Sequence, residues 1–235
     1  MMRILAVGAH PDDIEFMCAG TLAKYAKRGD KVIMAIATNG EVGSTTLSKE
    51  EISKIRREEA RASASVIGAE LIWMDFPDEF LFNDKATRIA FIEMARKARP
   101  DLVITHPLDD LYHPDHNTTG KIVNDVALMG TIPNIKTESS PCTCTPYLCY
   151  ADAQGGVNFL PDEYVDISDV FEIKKRMLSM HKSQESWLRD QYDMTLLEFM
   201  EIIARFRGIQ TGCKYAEAFR KVNAWPRITS MHFLP

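Results

Sequence analysis

The chain has 235 residues, 46% of them hydrophobic and 26% charged, with a formal net charge of -5. That is an ordinary balance for a soluble globular protein, and it lacks the basic excess that nucleic-acid binding leaves in a sequence. No run approaches the ~18 apolar residues of a membrane span, and the N-terminal apolar run is too short for a signal-peptide core, so a soluble cytoplasmic protein is expected.

The five cysteines are an odd number in a chain long enough to build its own core, so free thiols are the simpler reading. No Gly/Ser- or Pro-rich linker divides the chain. It reads as one domain over 1-235, with a core at 3-130 and a C-terminal part, 131-235, that completes the sheet and one pocket wall.

Ile4-Leu5-Ala6-Val7 is a continuous apolar run, the pattern of a parallel strand buried on both faces. After the stretch Gly8-Ala9-His10-Pro11-Asp12-Asp13, the residues Ile14, Met17, Cys18, Thr21, Leu22 and Tyr25 mark one helix face, ended by Arg28-Gly29. Residues 32-37 form a second strand and Thr38-Asn39-Gly40-Glu41-Val42-Gly43-Ser44 a loop. Ser48 and Glu51 have the spacing of a capping box and open a helix that runs to Gly68. A strand at 71-74, a loop at 75-83, a helix that stops before Pro100 and a strand at 102-105 follow.

This alternation predicts an α/β fold of three layers, α/β/α, with a mainly parallel sheet. The second half is less regular. It reads as a helix from 114 to 129, a surface loop at 131-146 and a strand at 147-151. A helix capped by Ser168 or Asp169 then runs to about Lys182, and another from Leu196 to Arg207 ends at Gly208. The run Lys174-Lys175-Arg176 reads as a solvated helix face.

Two clusters carry the chemistry. His10-Pro11-Asp12-Asp13 follows the first strand, and His113-Pro114-Asp115-His116 lies beyond the fourth. In parallel α/β sheets ligands sit past the carboxyl ends of the strands, so both clusters converge on one place. Imidazole nitrogen and carboxylate oxygen suit zinc, with iron(II), manganese or cobalt as other occupants, and three protein ligands leave a position open for water. His10 and Asp13 can face one ion and His116 can supply the third ligand, which leaves Asp12 and His113 to handle protons.

The residues Ala9-His10-Pro11-Asp12-Asp13, Thr38-Asn39-Gly40-Glu41-Val42-Gly43-Ser44, Arg56-Arg57-x-Glu59-Ala60 and His113-Pro114-Asp115-His116 resemble the LmbE/PIG-L family of metal-dependent N-acetylglucosaminyl deacetylases. The resemblance spans roughly 3-125, with weaker echoes at His181-Lys182-Ser183-Gln184 and Tyr215-Ala216-Glu217-Ala218-Phe219. It implies a Rossmann-like fold and hydrolysis of an acetamide on a small amino sugar or conjugate. It further implies His10, Asp13 and His116 as zinc ligands and Asp12 as general base. His113 would stand beside the oxyanion, with Asp115 orienting its ring. Arg56, Asp78, Glu41 and Tyr112 become candidate substrate contacts. Family analogy also allows a homo-oligomer.

Each residue has a plainer reading. Asp13 would serve as a helix cap, Pro114 and Asp115 as first-turn residues, Arg56 as a surface salt bridge with Glu59 or a neighbouring helix, Asp78 as a turn former and His106 as a structural histidine. Cys142, Cys144 and Cys149 lack the paired spacing of a zinc site. Two other functions compete with deacetylation: an iron(II) oxygenase using the same two histidines and carboxylate, and a non-catalytic metal-containing binding module.

Overall fold

The computed structural model describes residues 1-185, 189, 193-225 and 235. Its strands are β1 (Arg3–Gly8), β2 (Lys31–Thr38), β3 (Glu70–Phe76), β4 (Leu102–Thr105), β5 (Tyr147–Ala151), β6 (Glu163–Asp166) and β7 (Ala216–Lys221). They form one seven-stranded sheet of order β3-β2-β1-β4-β5-β7-β6. The five strands from β3 to β5 are parallel, with Ile4 opposite Val32 on one side and Leu102 on the other. β7 is antiparallel to both β5 and β6.

Among the described residues six α-helices flank the sheet: α1 (Asp13–Lys27), α2 (Lys49–Val66), α3 (Lys85–Ala98), α4 (Pro114–Met129), α5 (Phe171–Leu178) and α6 (Leu196–Thr211). Because side chains alternate along a strand, Ile4 and Ala6 enter a core shared with α1, α5 and α6, while Leu5 and Val7 enter a second core with α3 and α4. The continuous apolar run of β1 is thus a strand covered on both faces, in a single-domain α/β fold. No helix among the described residues is long and apolar enough to cross a membrane.

Local signals set the helix ends. Ser48 and Glu51 form the reciprocal capping box at the start of α2. Asp84 caps α3 through Thr87 N–H, and Arg99 closes that helix at φ 47°, just before Pro100. Pro114 occupies the first turn of α4, where its missing N–H costs nothing.

The C-terminal part departs from the sequence reading in four ways. Neither Ser168 nor Asp169 caps α5, which begins after Val170 and ends at Leu178, short of Lys182. Ser168 Oγ bonds Asp166 instead. α6 passes through Gly208 to Thr211 and closes at Gly212, because Gly208 packs directly against the carbonyls of Cys213 and Lys214. Strands β6 and β7 have no clear apolar run, and their pairing comes from long-range contacts.

Lys174, finally, is buried rather than solvated. Its ammonium bonds Phe16 O at 2.7 Å and Glu217 Oε1 at 2.5 Å. The same Glu217 carboxylate accepts Gly20 N–H and Thr21 N–H within α1. One buried ion pair therefore fastens α5 and β7 to the helix that opens at Asp13.

Candidate active site

β1 has β2 on one side and β4 on the other, so the loops leaving β1 and β4 diverge and open a crevice at their carboxyl ends. The two His/Asp clusters meet there. His10 Nδ1 lies 3.3 Å from His116 Nε2 and 3.4 Å from Asp13 Oδ2, and His116 Nε2 lies 3.2 Å from Asp13 Oδ1. Asp13 meets the two histidines through different oxygens, and the nitrogen and carboxylate donors gathered here are of the types that hold a zinc-sized ion. Among the described residues, three sets of donors are compact enough to hold a metal: His10, His113 and His116; Asp13, His106 and His116; and His10, Asp78 and Asp115.

The electrostatics favour a cation at this point. Burial alone would lower the His10 pKa, but Asp13, Asp115 and Asp78 hold it well above the usual imidazole range. Burial is likewise outweighed at His116, where Asp13 and Asp110 raise the pKa to about 9. Asp13 is held well below the carboxylate range despite burial, by His116, His106 and His10. The cluster is a buried set of carboxylates compensated by positive charge, which a divalent ion also supplies.

Asp13 does not use its carboxylate to cap α1 from outside. It is the first helical residue, and its Oδ2 accepts His10 N–H at 2.6 Å, closing the motif loop on itself. Asp12, just before it, sits at φ 121°, a conformation that costs a non-glycine residue about 1–3 kcal/mol and persists only when its surroundings hold it. Arg56 holds it, donating to Pro11 O at 2.7 Å and lying 3.5 Å from Asp12 Oδ2. Burial, partly offset by Arg56 and reinforced by Asp13, raises the Asp12 pKa to about 6.

Arg56 is buried, not a surface partner of Glu59, whose carboxylate instead accepts from Ser183 N and Oγ. The guanidinium passes so close to Gly40, at φ 65°, that a Cβ there would stand 2.7 Å from it. The glycine in the loop after β2 therefore makes room for Arg56.

The remaining candidates divide. His10, Asp12, Asp13, Arg56, Asp78, Tyr112, His113 and His116 all line one cavity. Glu41 does not; it pairs with Asn39 and Lys49 on the outer side of its loop. Asp78 lies 3.2 Å from His10 Nε2 and receives Thr38 Oγ1–H and Val42 N–H. Tyr112 stands at the rim, half exposed.

Asp115 does not orient His113 through its carboxylate. Its backbone N–H donates to His113 Nδ1 at 3.1 Å, while the carboxylate accepts Glu79 N–H and Leu81 N–H and lies 3.6 Å from His10 Nε2. The other nitrogen of His113 faces Glu79 Oε1 at 3.0 Å. Burial and the neighbouring His10 and His116 lower the His113 pKa.

Residues 5–127 match the family of GlcNAc-PI de-N-acetylases, PIG-L. The chain belongs to the PIG-L family. It is 30% identical to diacetylchitobiose deacetylase of Thermococcus kodakarensis, over 94% of this chain and 83% of that protein. The solved N,N'-diacetylchitobiose deacetylase of Pyrococcus horikoshii superposes with a TM-score of 0.82 at 28% identity, covering 93% of this chain and 83% of that one. A 4-oxalmesaconate hydratase of Pseudomonas putida is 24% identical over 96% of this chain and 90% of that protein.

This PIG-L chain also uses residues outside its two motifs. Asp110 is buried and binds His116 Nδ1 at 3.1 Å, which leaves Nε2 turned toward His10 and Asp13. His106 is buried beside Asp13, with Nε2 at 3.1 Å from Asp13 Oδ2 and 3.0 Å from Ala9 N, and burial with the His116 charge lowers its pKa to about 4. His181 pairs with Glu15 at 3.1 Å in a fully buried contact. Asp110 could have been read from its spacing, six residues before His116; Glu15 and His181 join only through the fold. Cys149 is buried in β5 and Cys144 exposed, and no cysteine joins a metal-sized cluster among the described residues. His232 lies outside them.

Proposed function

We propose that this chain is a zinc-dependent N-deacetylase that hydrolyses the acetamide of an N-acetylglucosamine-type sugar or conjugate. The observation that carries this reading is the meeting of His10 Nδ1 and His116 Nε2 at 3.3 Å, each beside one oxygen of Asp13, with the strained, buried Asp12 next to them. The same donors accept iron(II), manganese or cobalt. Family membership and the deacetylase relatives support hydrolysis of an amide. A small N-acetylated amino sugar or conjugate in the cytoplasm, with no nucleic-acid or membrane partner, is the setting it implies.

An ion held by His10, Asp13 and His116 would polarise the acetamide carbonyl and make the attacking water more acidic. Asp12 accepts that water's proton as it attacks and passes it on to the departing amine, which requires the carboxylate to be ionised beforehand. His113, with Nδ1 occupied by Asp115 N–H, carries its hydrogen on Nε2 and donates it to the developing oxyanion. Asp78 and Asp115 orient His10, and Asp110 orients His116. Arg56 fixes the loop that holds Asp12, and Tyr112 offers a ring face to the sugar at the rim.

The test is acetate release from a panel of N-acetylated amino sugars by zinc-loaded protein, with Asp12→Asn as control. Release that disappears in the variant while its metal content stays stoichiometric supports the reading. Stoichiometric metal with no release from any compound overturns it, and oxygen uptake, hydration of an unsaturated acid or unconverted ligand binding would then name the replacement.

A further inference from the structure

The site holds one charged group that the hydrolysis does not use. Glu79 lines the cavity beside His113 and is held at φ 68°, a backbone region that suits glycine. Its main chain is fastened on both sides: Asp78 accepts from Thr38 Oγ1–H and Val42 N–H, while Glu79 N–H and Leu81 N–H both donate to Asp115. Its side chain is 45% exposed.

That side chain reaches one specific atom. His113 Nδ1 accepts from Asp115 N–H, so the hydrogen available for recognition is on Nε2, and Nε2 lies 3.0 Å from Glu79 Oε1. The His113 ring is packed against His10 and His116, with centroids at 4.4 and 4.9 Å, so it does not turn away to find another partner. A carbonyl oxygen that takes the Nε2–H must displace the Glu79 carboxylate. The displaced carboxylate stays at the cavity mouth, because its backbone is fixed.

Resting on the deacetylase reading, we infer that Glu79 is a specificity-determining residue that competes with the substrate oxygen for the His113 Nε2–H and selects the group beside the acetamide. A hydroxyl or ammonium there receives the displaced carboxylate in a hydrogen bond. A carboxylate or phosphate there is repelled by it. The substrate class is accordingly a neutral or amino-bearing sugar, and anionic amino sugars are disfavoured.

The experiment is calorimetric titration of acetate and of neutral acetamide into zinc-loaded wild type, Glu79→Gln, Glu79→Gly and the double variant Glu79→Gly/His113→Ala. Acetate is expected to bind tenfold or more tighter in both single variants, acetamide to gain less, and the double variant to lose the gain. Glycine suits the φ at this position, so that variant folds, which its melting temperature and metal content check. Equal acetate affinity in wild type and both single variants overturns the inference, as does a gain that survives the loss of His113.

A second arm compares kcat/KM for N-acetylglucosamine with that for N-acetylmuramic acid. The preference for the neutral sugar should fall about tenfold in Glu79→Gln, and an unchanged preference overturns the selectivity. Failure of the deacetylase reading shows separately, as absence of acetate release by wild type, and leaves the acetate titration decisive for the Glu79–His113 competition.

Discussion

His10 Nδ1 and His116 Nε2 stand 3.3 Å apart across 106 positions of the chain. Their approach depends on β1 and β4 being neighbours in the sheet, and on the partner that turns each ring. For His116 that partner is Asp110, bound to Nδ1 at 3.1 Å.

Asp110→Asn should therefore weaken metal binding by about 10–100-fold, the usual effect of losing the group that orients a ligand histidine. His116→Ala should abolish it. Competition with a chromophoric chelator measures both. An Asp110→Asn affinity equal to wild type would show that the Asp110 contact does not orient His116.

Burial is the main cause that raises the Asp12 pKa to about 6, so the proposed base should set the acid side of the activity. A base must be ionised to accept a proton, and a raised pKa extends the inactive protonated form upward in pH. We expect kcat/KM to fall about tenfold per pH unit below about pH 6. A profile flat down to pH 4 would remove Asp12 from the role of base.

Lys174→Met leaves Glu217 buried without its cation. Breaking a buried pair on one side costs about 3–5 kcal/mol, since the remaining charge stays desolvated. Urea denaturation should show a loss of this size. A change below about 1 kcal/mol, the scale of an exposed pair, would mean that water reaches Glu217.

Gly120 lies in α4 one turn beyond His116, and a Cβ there would stand 2.6 Å from His106 O and 2.8 Å from Pro107 O. Those are backbone atoms, so the helix or the loop after β4 must shift. Gly120→Ala should cost about 1–3 kcal/mol and lower the melting temperature. An unchanged melting temperature would show that this loop yields without cost.

Much of the fold was legible up to residue 129, because parallel strands buried on both faces leave continuous apolar runs, and helix ends leave side chains such as Ser48, Glu51 and Pro114. The antiparallel edge was not. β7, Ala216–Lys221, mixes charged and apolar residues whose meaning depends on partners far away: Glu217 on Lys174 and α1, and Arg220 over Tyr150 and Phe159. Gly208 likewise looked like a helix end, and only its contact with the following carbonyls shows why a glycine is needed inside α6.

At the site, the sequence by itself determined the chemical types: two histidine-and-aspartate motifs after two apolar strands, and a loop with glycine at position 40. Short-range spacing carries that much, since residue type fixes which atoms can ligate or accept a proton. Only the tertiary structure decided which atom faces which. It turned the Asp115 carboxylate to Glu79 N–H and Leu81 N–H, gave the His113 ring to Glu79, buried Arg56 against Pro11 and sent Glu41 outward. The physical reason is that a hydrogen bond depends on distance and direction within a few tenths of an ångström, and those are set by how β1, β4 and the loop after β3 pack together.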